Sequence, residues 1–177
     1  MLAFHNDPAI KAYYLARIAA HRAADELIHG QYWQDGKGCA VGCTIHSSAH
    51  NAYETELGIP SALAHLEDNI FEGLHSPYDQ AWPAEFLEAI PVGADLRSVV
   101  PQFLVAILSD TDHGVLRFVA APEFTQQRTA ILDVVALLQG EAAARAAVRA
   151  AVRAAEAAAR LWQCTTLLHL LREAPRG

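Results

Sequence analysis

Residues 142–153 read Ala-Ala-Ala-Arg-Ala-Ala-Val-Arg-Ala-Ala-Val-Arg. Alanine surrenders no side-chain entropy in a helix and arginine little, so such a run strongly favours helix. Leu161, Trp162, Leu167, Leu168 and Leu171 follow it. The segment therefore predicts one long helix over 141–172 that carries its own apolar docking surface. Low complexity here marks helix, not disorder.

Upstream, proline and glycine cut the chain into helix-length pieces. Asn6 or Asp7 can cap a first helix with Pro8 in its first turn and Gly30 at its exit. Tyr14, Ile18, His21, Asp25 and Ile28 repeat at helical spacing. His21 and Asp25 thus interrupt an apolar stripe and, four residues apart, can hydrogen-bond. A connector with Gly30, Gly36 and Gly38 follows, anchored by Tyr32 and Trp33.

A second helix is predicted over 39–57, ended by Gly58, and a third from Pro60 and Ser61 to Phe71, closing near Gly73. Trp82-Pro83 starts a short helix through Ile90. Residues 95–109 read as helix split or kinked at Pro101. Residues 115–120 have strand-like composition but no partner strand, so they are assigned to helix. Pro122 or Glu123 opens a helix through Leu138, punctuated by Gly140.

The predicted fold class is all-α: a compact single-domain bundle of six to eight helices, with an acidic body over 1–140 and the Ala/Arg-rich helix of 141–173 docked on it. A chain of 177 residues, 53% hydrophobic, can build one good core. The net charge of −7 disfavours nucleic acid as a partner. Six Arg and three Glu from residue 141 onward give a local +3, leaving −10 on residues 1–140. Three cysteines, no secretory leader pattern and no membrane-length apolar run point to a reducing cytoplasm and no membrane.

The chemistry-bearing residues concentrate between 39 and 54. On a continuous helix Cys39, Cys43, His46, His50 and Glu54 share one face. Thiol, imidazole and carboxylate are the side chains of metal ligation and of nucleophilic catalysis. Cys39 and His50 would be about 16 Å apart at about 1.5 Å per residue. One zinc-like divalent ion, with bonds of about 2.0–2.3 Å, cannot reach both. Neighbouring pairs drawn from Cys39, Cys43, His46 and His50 each give two metal ligands, and another helix must complete the set, with His21, Asp25 and His29 of the first helix as candidates.

A thiol mechanism is the competing chemistry. Cys43 is then nucleophile, His50 or His46 the base, and Glu54, Asp25 and His21 the supporting groups. The structural alternative is a packing seam in which Cys39 and Cys43 behave as small hydrophobes and Gly38 and Gly42 permit close approach.

Other patterns are weaker. Glu26-Leu-Ile-His29 and Glu72-Gly-Leu-His75 match the Glu-x-x-His spacing of di-iron bundles, with Glu54 and Asp68 as further carboxylates. Gly73 and Ser76-Pro77 count against the second copy. Glu67, Asp68 and Glu72 form an acidic patch in which Asp68 and Glu72, at i and i+4, repel unless a cation sits nearby. Asp35-Gly-Lys-Gly-Cys39 suggests an anion loop at a helix start but lacks the Walker pattern. Arg145, Arg149, Arg153 and Arg160, with Glu156, mark a basic face on the last helix.

Four segments carry a resemblance: Gly-Lys-Gly-Cys-Ala-Val-Gly-Cys-Thr (36–44), Tyr-Glu-Thr-Glu-Leu-Gly-Ile-Pro (53–60), Leu-Glu-Asp-Asn-Ile-Phe-Glu-Gly-Leu (66–74) and Phe-Leu-Glu-Ala-Ile-Pro-Val-Gly-Ala-Asp-Leu (86–96). With the Ala-rich last helix, they resemble a family of uncharacterised bacterial and phage-encoded helical proteins. The resemblance covers residues 5–100 best. It implies a discrete cytoplasmic protein and transfers no catalytic role, cofactor or partner.

The leading functional expectation is a small helical protein whose second helix, against the first, forms a polar site that binds a metal or uses a Cys thiolate on a small substrate. The alternatives are a non-enzymatic inhibitor or adaptor that binds a protein partner, and a nucleotide or small-anion binder at the start of the second helix.

Overall fold

The structure is a computed structural model. It describes residues 1–172, with side-chain surroundings through residue 140 and at scattered positions beyond. The chain forms two compact units, Met1–Val100 and Pro101–Gly177. Apart from a two-stranded ribbon and one isolated bridge, the regular structure of the described chain is helical, so the all-α class holds.

In the first unit, α1 (Pro8–Ala23) starts where predicted, with the Asp7 carboxylate accepting the Ala9 N–H at 2.8 Å. It ends earlier than the expected exit at Gly30. Asp25 takes φ 54°, a left-handed conformation that Asp tolerates better than most residues. The chain then runs beside Gly38, whose N–H donates to Glu26 O at 3.0 Å. The predicted connector contains a hairpin, β1 (Trp33–Gln34) against β2 (Lys37–Gly38). Asp35 (φ 53°) and Gly36 (φ 82°) are both left-handed, as a two-residue type I′ turn requires.

The predicted helix over 39–57 is not continuous. α2 (Ala40–Ile45) has six residues, all buried, and Cys39 caps it by accepting the Gly42 N–H on Sγ at 3.4 Å. His46 then takes φ 53° and ends it. The local sequence explains the break. Thr44 and Ile45 are β-branched, the Thr44 hydroxyl donates back to Ala40 O at 2.8 Å, and Ser47 Oγ accepts from Ala49 N at 3.1 Å. Serine and threonine offer the backbone these alternatives to helical bonding. A π-helical turn, Tyr53–Leu57, follows and closes at Gly58.

α3 (Ser61–Gly73) matches expectation. α4 (Tyr78–Ala89) starts before Trp82-Pro83 and keeps Pro83 buried inside it. α5 (Val99–Ser109) starts late enough to put Pro101 in its first turn, where the missing N–H has no helical partner to lose, so the expected split is avoided.

α2 is the centre of this unit. α1 and α3 each pack on α2 and on α4. Buried on every side, α2 is a core helix and not an amphipathic one. Tyr14, Ile18, Val41, Tyr53, Leu57, Leu63, Phe71 and Leu87 make up much of the core around it. A β-carbon at Gly42 would lie 1.4 Å from the Tyr32 carbonyl oxygen, and one at Gly38 1.9 Å from it. Both glycines are therefore set by the close approach of the backbone leading into β1.

In the second unit, 3-10 turns at Val115–Val119 and Pro122–Phe124 pack on α6 (Thr125–Arg172). α6 runs unbroken through Gly140, contrary to the expected punctuation. One glycine costs about 1 kcal/mol against alanine, which strong helix formers on both sides outweigh. Arg153, Arg160 and Trp162 are exposed. The side chains of Arg145, Arg149, Glu156, Leu161, Leu167, Leu168 and Leu171, and all of residue 173, lie outside the described residues. No described helix is long and apolar enough to cross a membrane.

Candidate metal centre

α3 and the loop before β1 enclose a pocket of about 270 Å³ lined by Gly30, Gln31, Tyr32, Asp68, Asn69 and Glu72. One helical turn separates Asp68 and Glu72, so both carboxylates lie on the same face of α3. The Gly30 N–H donates to both Glu72 oxygens, at 3.1 and 2.9 Å. Cys39, at the junction of β2 and α2, reaches the same place. Its Sγ and one oxygen each of Asp68 and Glu72 all lie within 4.8 Å of one another.

His50 borders this cluster. It is buried, its ring stacks on His65 at 3.9 Å between centroids, and the ring of Tyr32 meets it edge-on. Nδ1 lies 3.2 Å from the Ser48 carbonyl, which fixes Nδ1 as the donor in the neutral ring. Nε2 then presents a lone pair 3.5 Å from Asp68 Oδ2. Neither His50 Nε2 nor Asp68 Oδ1 has a hydrogen-bond partner. Nε2 and Oδ2 facing one another at 3.5 Å need a proton or a cation between them, and Oδ1 needs a partner of its own, since each unsatisfied buried group costs about 1–3 kcal/mol.

Further titratable groups surround the site. His29 Nε2 lies 3.0 Å from Asp79 Oδ2, and its Nδ1 lies 3.7 Å from Glu72 Oε2. Burial pushes the Asp79 carboxyl up, but hydrogen bonds from His29 and Gln80 outweigh it and hold it below the usual range. Glu67, fully buried behind Asp68, accepts the Tyr53 hydroxyl at 2.7 Å. Burial, with the Asp68 charge adding to it, pushes Glu67 up to about 8 despite that bond.

Both core thiols are protonated in this setting. Burial, then Asp68, pushes Cys39 up to about 12, and burial does the same to Cys43. Cys43 Sγ faces the carbonyls of Gly38 at 3.3 Å and Glu26 at 3.5 Å.

The residues singled out from the sequence are dispersed. His21 pairs with Glu26 at 2.6 Å, not with Asp25, which is exposed past the end of α1. His21 Nε2 also meets His46 Nε2 at 2.8 Å, so those two do come together. Glu54 accepts Ser61 N and Oγ at 3.0 and 2.8 Å, bonds that hold its carboxyl below the usual range and anchor the start of α3. Cys43, His50, Glu54, His21 and Asp25 therefore do not share one site. Of the four metal candidates, Cys39 and His50 border the same cluster, whereas Cys43 and His46 lie elsewhere.

Glu26 and Glu72 pair with different histidines, and His75 is exposed, so the two Glu-x-x-His pairs do not build a di-metal centre. At the start of α2 the Cys39 N–H donates to Gln31 O at 2.7 Å and the Gly42 N–H to Cys39 Sγ at 3.4 Å, so these two groups of the expected anion loop already have partners. Asp68 and Glu72 were not among the ligands expected beside Cys39; the sequence placed them only in the di-iron pattern and in an acidic patch. The signal that could have found them is their like-charge spacing on one helix face.

No protein-family profile matches the chain, and no curated protein or solved structure is significantly similar to it.

Proposed function

We propose that this protein binds a divalent cation of the zinc class through Cys39, Asp68 and Glu72, with His50 Nε2 as the fourth donor, and presents the ion to a small polar ligand in the adjoining pocket. The observation that carries this reading is the pair of unpartnered buried acceptors, Asp68 Oδ1 and His50 Nε2, beside a buried thiol. Thiolate, imidazole and carboxylate are the donor types zinc takes, at about 2.0–2.3 Å. Ligand atoms then stand about 3.3–3.8 Å apart, so the Cys39, Asp68 and Glu72 atoms, now within 4.8 Å of one another, must close by roughly 1 Å, and His50, which lies outside that group, must move in toward Cys39 and Glu72. The Ser48 carbonyl on His50 and the Gly30 N–H on Glu72 are the outer contacts that orient such ligands. The elevated thiols of Cys39 and Cys43 favour ligation over thiolate catalysis, because a metal deprotonates its own thiol ligand whereas a free nucleophile must already be ionised.

The test is to titrate Co²⁺ into chelator-treated protein and follow the thiolate-to-cobalt charge-transfer absorption. One equivalent is expected to develop the band in wild type, and Cys39→Ser to abolish it. Asp68→Asn should weaken binding at least tenfold with helicity unchanged. A band that survives in Cys39→Ser at full intensity overturns the proposal.

A second reading, an interaction protein, draws on the second unit. Phe118, Leu137 and Trp162 are each more than 60% exposed there. Where such side chains adjoin in a contiguous patch they mark an association surface. Sedimentation of wild type against Phe118→Ser and Leu137→Ser tests self-association; identical behaviour counts against that form of the reading.

A further inference from the structure

We propose that His21 and His46 form a second cation site, distinct from the Cys39 cluster and suited to Cu²⁺ or Ni²⁺. His21 lies on α1 and His46 immediately follows α2, and their Nε2 atoms stand 2.8 Å apart with the ring planes at 82°. Two nitrogens bound to one ion at about 2.0 Å and a right angle are about 2.8 Å apart. A tetrahedral ion would spread them to roughly 3.3 Å. The observed spacing thus fits two adjacent corners of a square-planar or tetragonal ion.

The surroundings are those of a built ligand pair. Glu26 Oε2 accepts from His21 Nδ1 at 2.6 Å, which fixes the proton on Nδ1 and leaves the Nε2 lone pair, which accepts from His46 Nε2 at 2.8 Å without an ion and would ligate one when it displaces that proton. Trp33 stacks on His46 at 4.3 Å and 8°, holding that ring in plane. His46 sits at φ 53°, a conformation uncommon for a residue with a β-carbon and one that aims its ring back toward α1. The His46 residue is exposed, so the remaining coordination positions are open to water.

The charges facing the pair are Arg17, Glu26 and Glu56. Arg17 opposes a cation, and its guanidinium is already engaged: it donates to Thr44 O at 2.8 Å and to the Tyr13 hydroxyl. The two carboxylates favour the cation. Burial, then Arg17 and His21, lower the His46 pKa and keep that ring available as a neutral donor.

This site does not depend on the Cys39 reading, and the experiment separates them. Cu²⁺ is titrated into chelator-treated protein while tryptophan fluorescence and the copper electron-paramagnetic-resonance spectrum are recorded. Trp33 lies against a proposed ligand, so bound Cu²⁺ quenches its emission. Wild type is expected to bind one quenching equivalent with nitrogen ligation in the spectrum. His46→Asn keeps a residue that tolerates left-handed backbone and should lose the quenching and at least tenfold in affinity. Glu26→Gln should weaken binding about 10–100-fold, as loss of an outer carboxylate does. Asp68→Asn should leave the quenching intact, and Trp33→Phe should retain the copper spectrum with the quenching lost. Unchanged quenching and affinity in His46→Asn, or loss of both in a folded Asp68→Asn variant, overturns the proposal.

Discussion

The buried thiol of Cys39 makes a quantitative demand on metal binding. Its pKa is raised to about 12, so near neutral pH the metal must displace a proton to gain a thiolate ligand. The direction follows: a raised pKa favours the thiol, the metal favours the thiolate, and binding strengthens as pH rises toward 12. At pH 7.5 the displacement spans about 4.5 pH units, which at about 1.36 kcal/mol each is a cost of about 6 kcal/mol. Below the thiol pKa, release of one proton tightens the apparent Kd tenfold per pH unit. Between pH 7.5 and 9, above the ordinary imidazole range, the thiol alone gives a gain of about 30-fold, and ionisation of Glu67 near pH 8 beside Asp68 adds to it. Competition for Zn²⁺ against a chelator of known pH dependence measures it, and Cys39→Ser should flatten the profile. A change of less than threefold across that window in wild type would refute Cys39 as a deprotonated ligand.

The remaining predictions concern the groups that support the site. Glu67 has its pKa raised to about 8 in the folded protein, so its neutral form is favoured there. The stability it contributes is complete below about pH 4.5 and is lost as pH rises through 8, by up to about 5 kcal/mol. Urea unfolding of metal-free protein should show that fall in wild type and a nearly flat profile in Glu67→Gln; equal slopes would show that Glu67 is not the group responsible. Gly42→Ala would place a β-carbon 1.4 Å from the Tyr32 carbonyl oxygen. It should destabilise by about 3 kcal/mol or more, because strand and helix backbones must separate; an unchanged Tm would show that the contact yields freely.

The first and third helices illustrate what local sequence signals report. Asp7-Pro8 and Pro60-Ser61 start α1 and α3 where capping and proline geometry predict. The 39–57 region shows the opposite case. Its histidines and cysteines keep helical spacing, but hydroxyl-to-backbone competition at Thr44 and Ser47 breaks the helix, and the spacing stops describing a face. The hairpin was legible in principle, since Asp35-Gly36 is a type I′ turn pair. It was missed because the strands flanking it are only two residues each.

By itself, the sequence determined the helical class, the main helix starts, the long last helix and the concentration of thiol, imidazole and carboxylate groups in the first half of the chain. These follow from propensity, capping and periodicity, which act over three or four residues. Only the tertiary structure decided which of those groups meet. Cys39, His50, Asp68 and Glu72 come from three segments, and His21 and His46 from two. The chain reversals among these segments include left-handed residues at Asp25, Asp35, Gly36, His46 and Gly58. Single backbone angles carry no periodic signal, yet each redirects everything that follows, so the candidate metal site becomes readable only when the reversals are known.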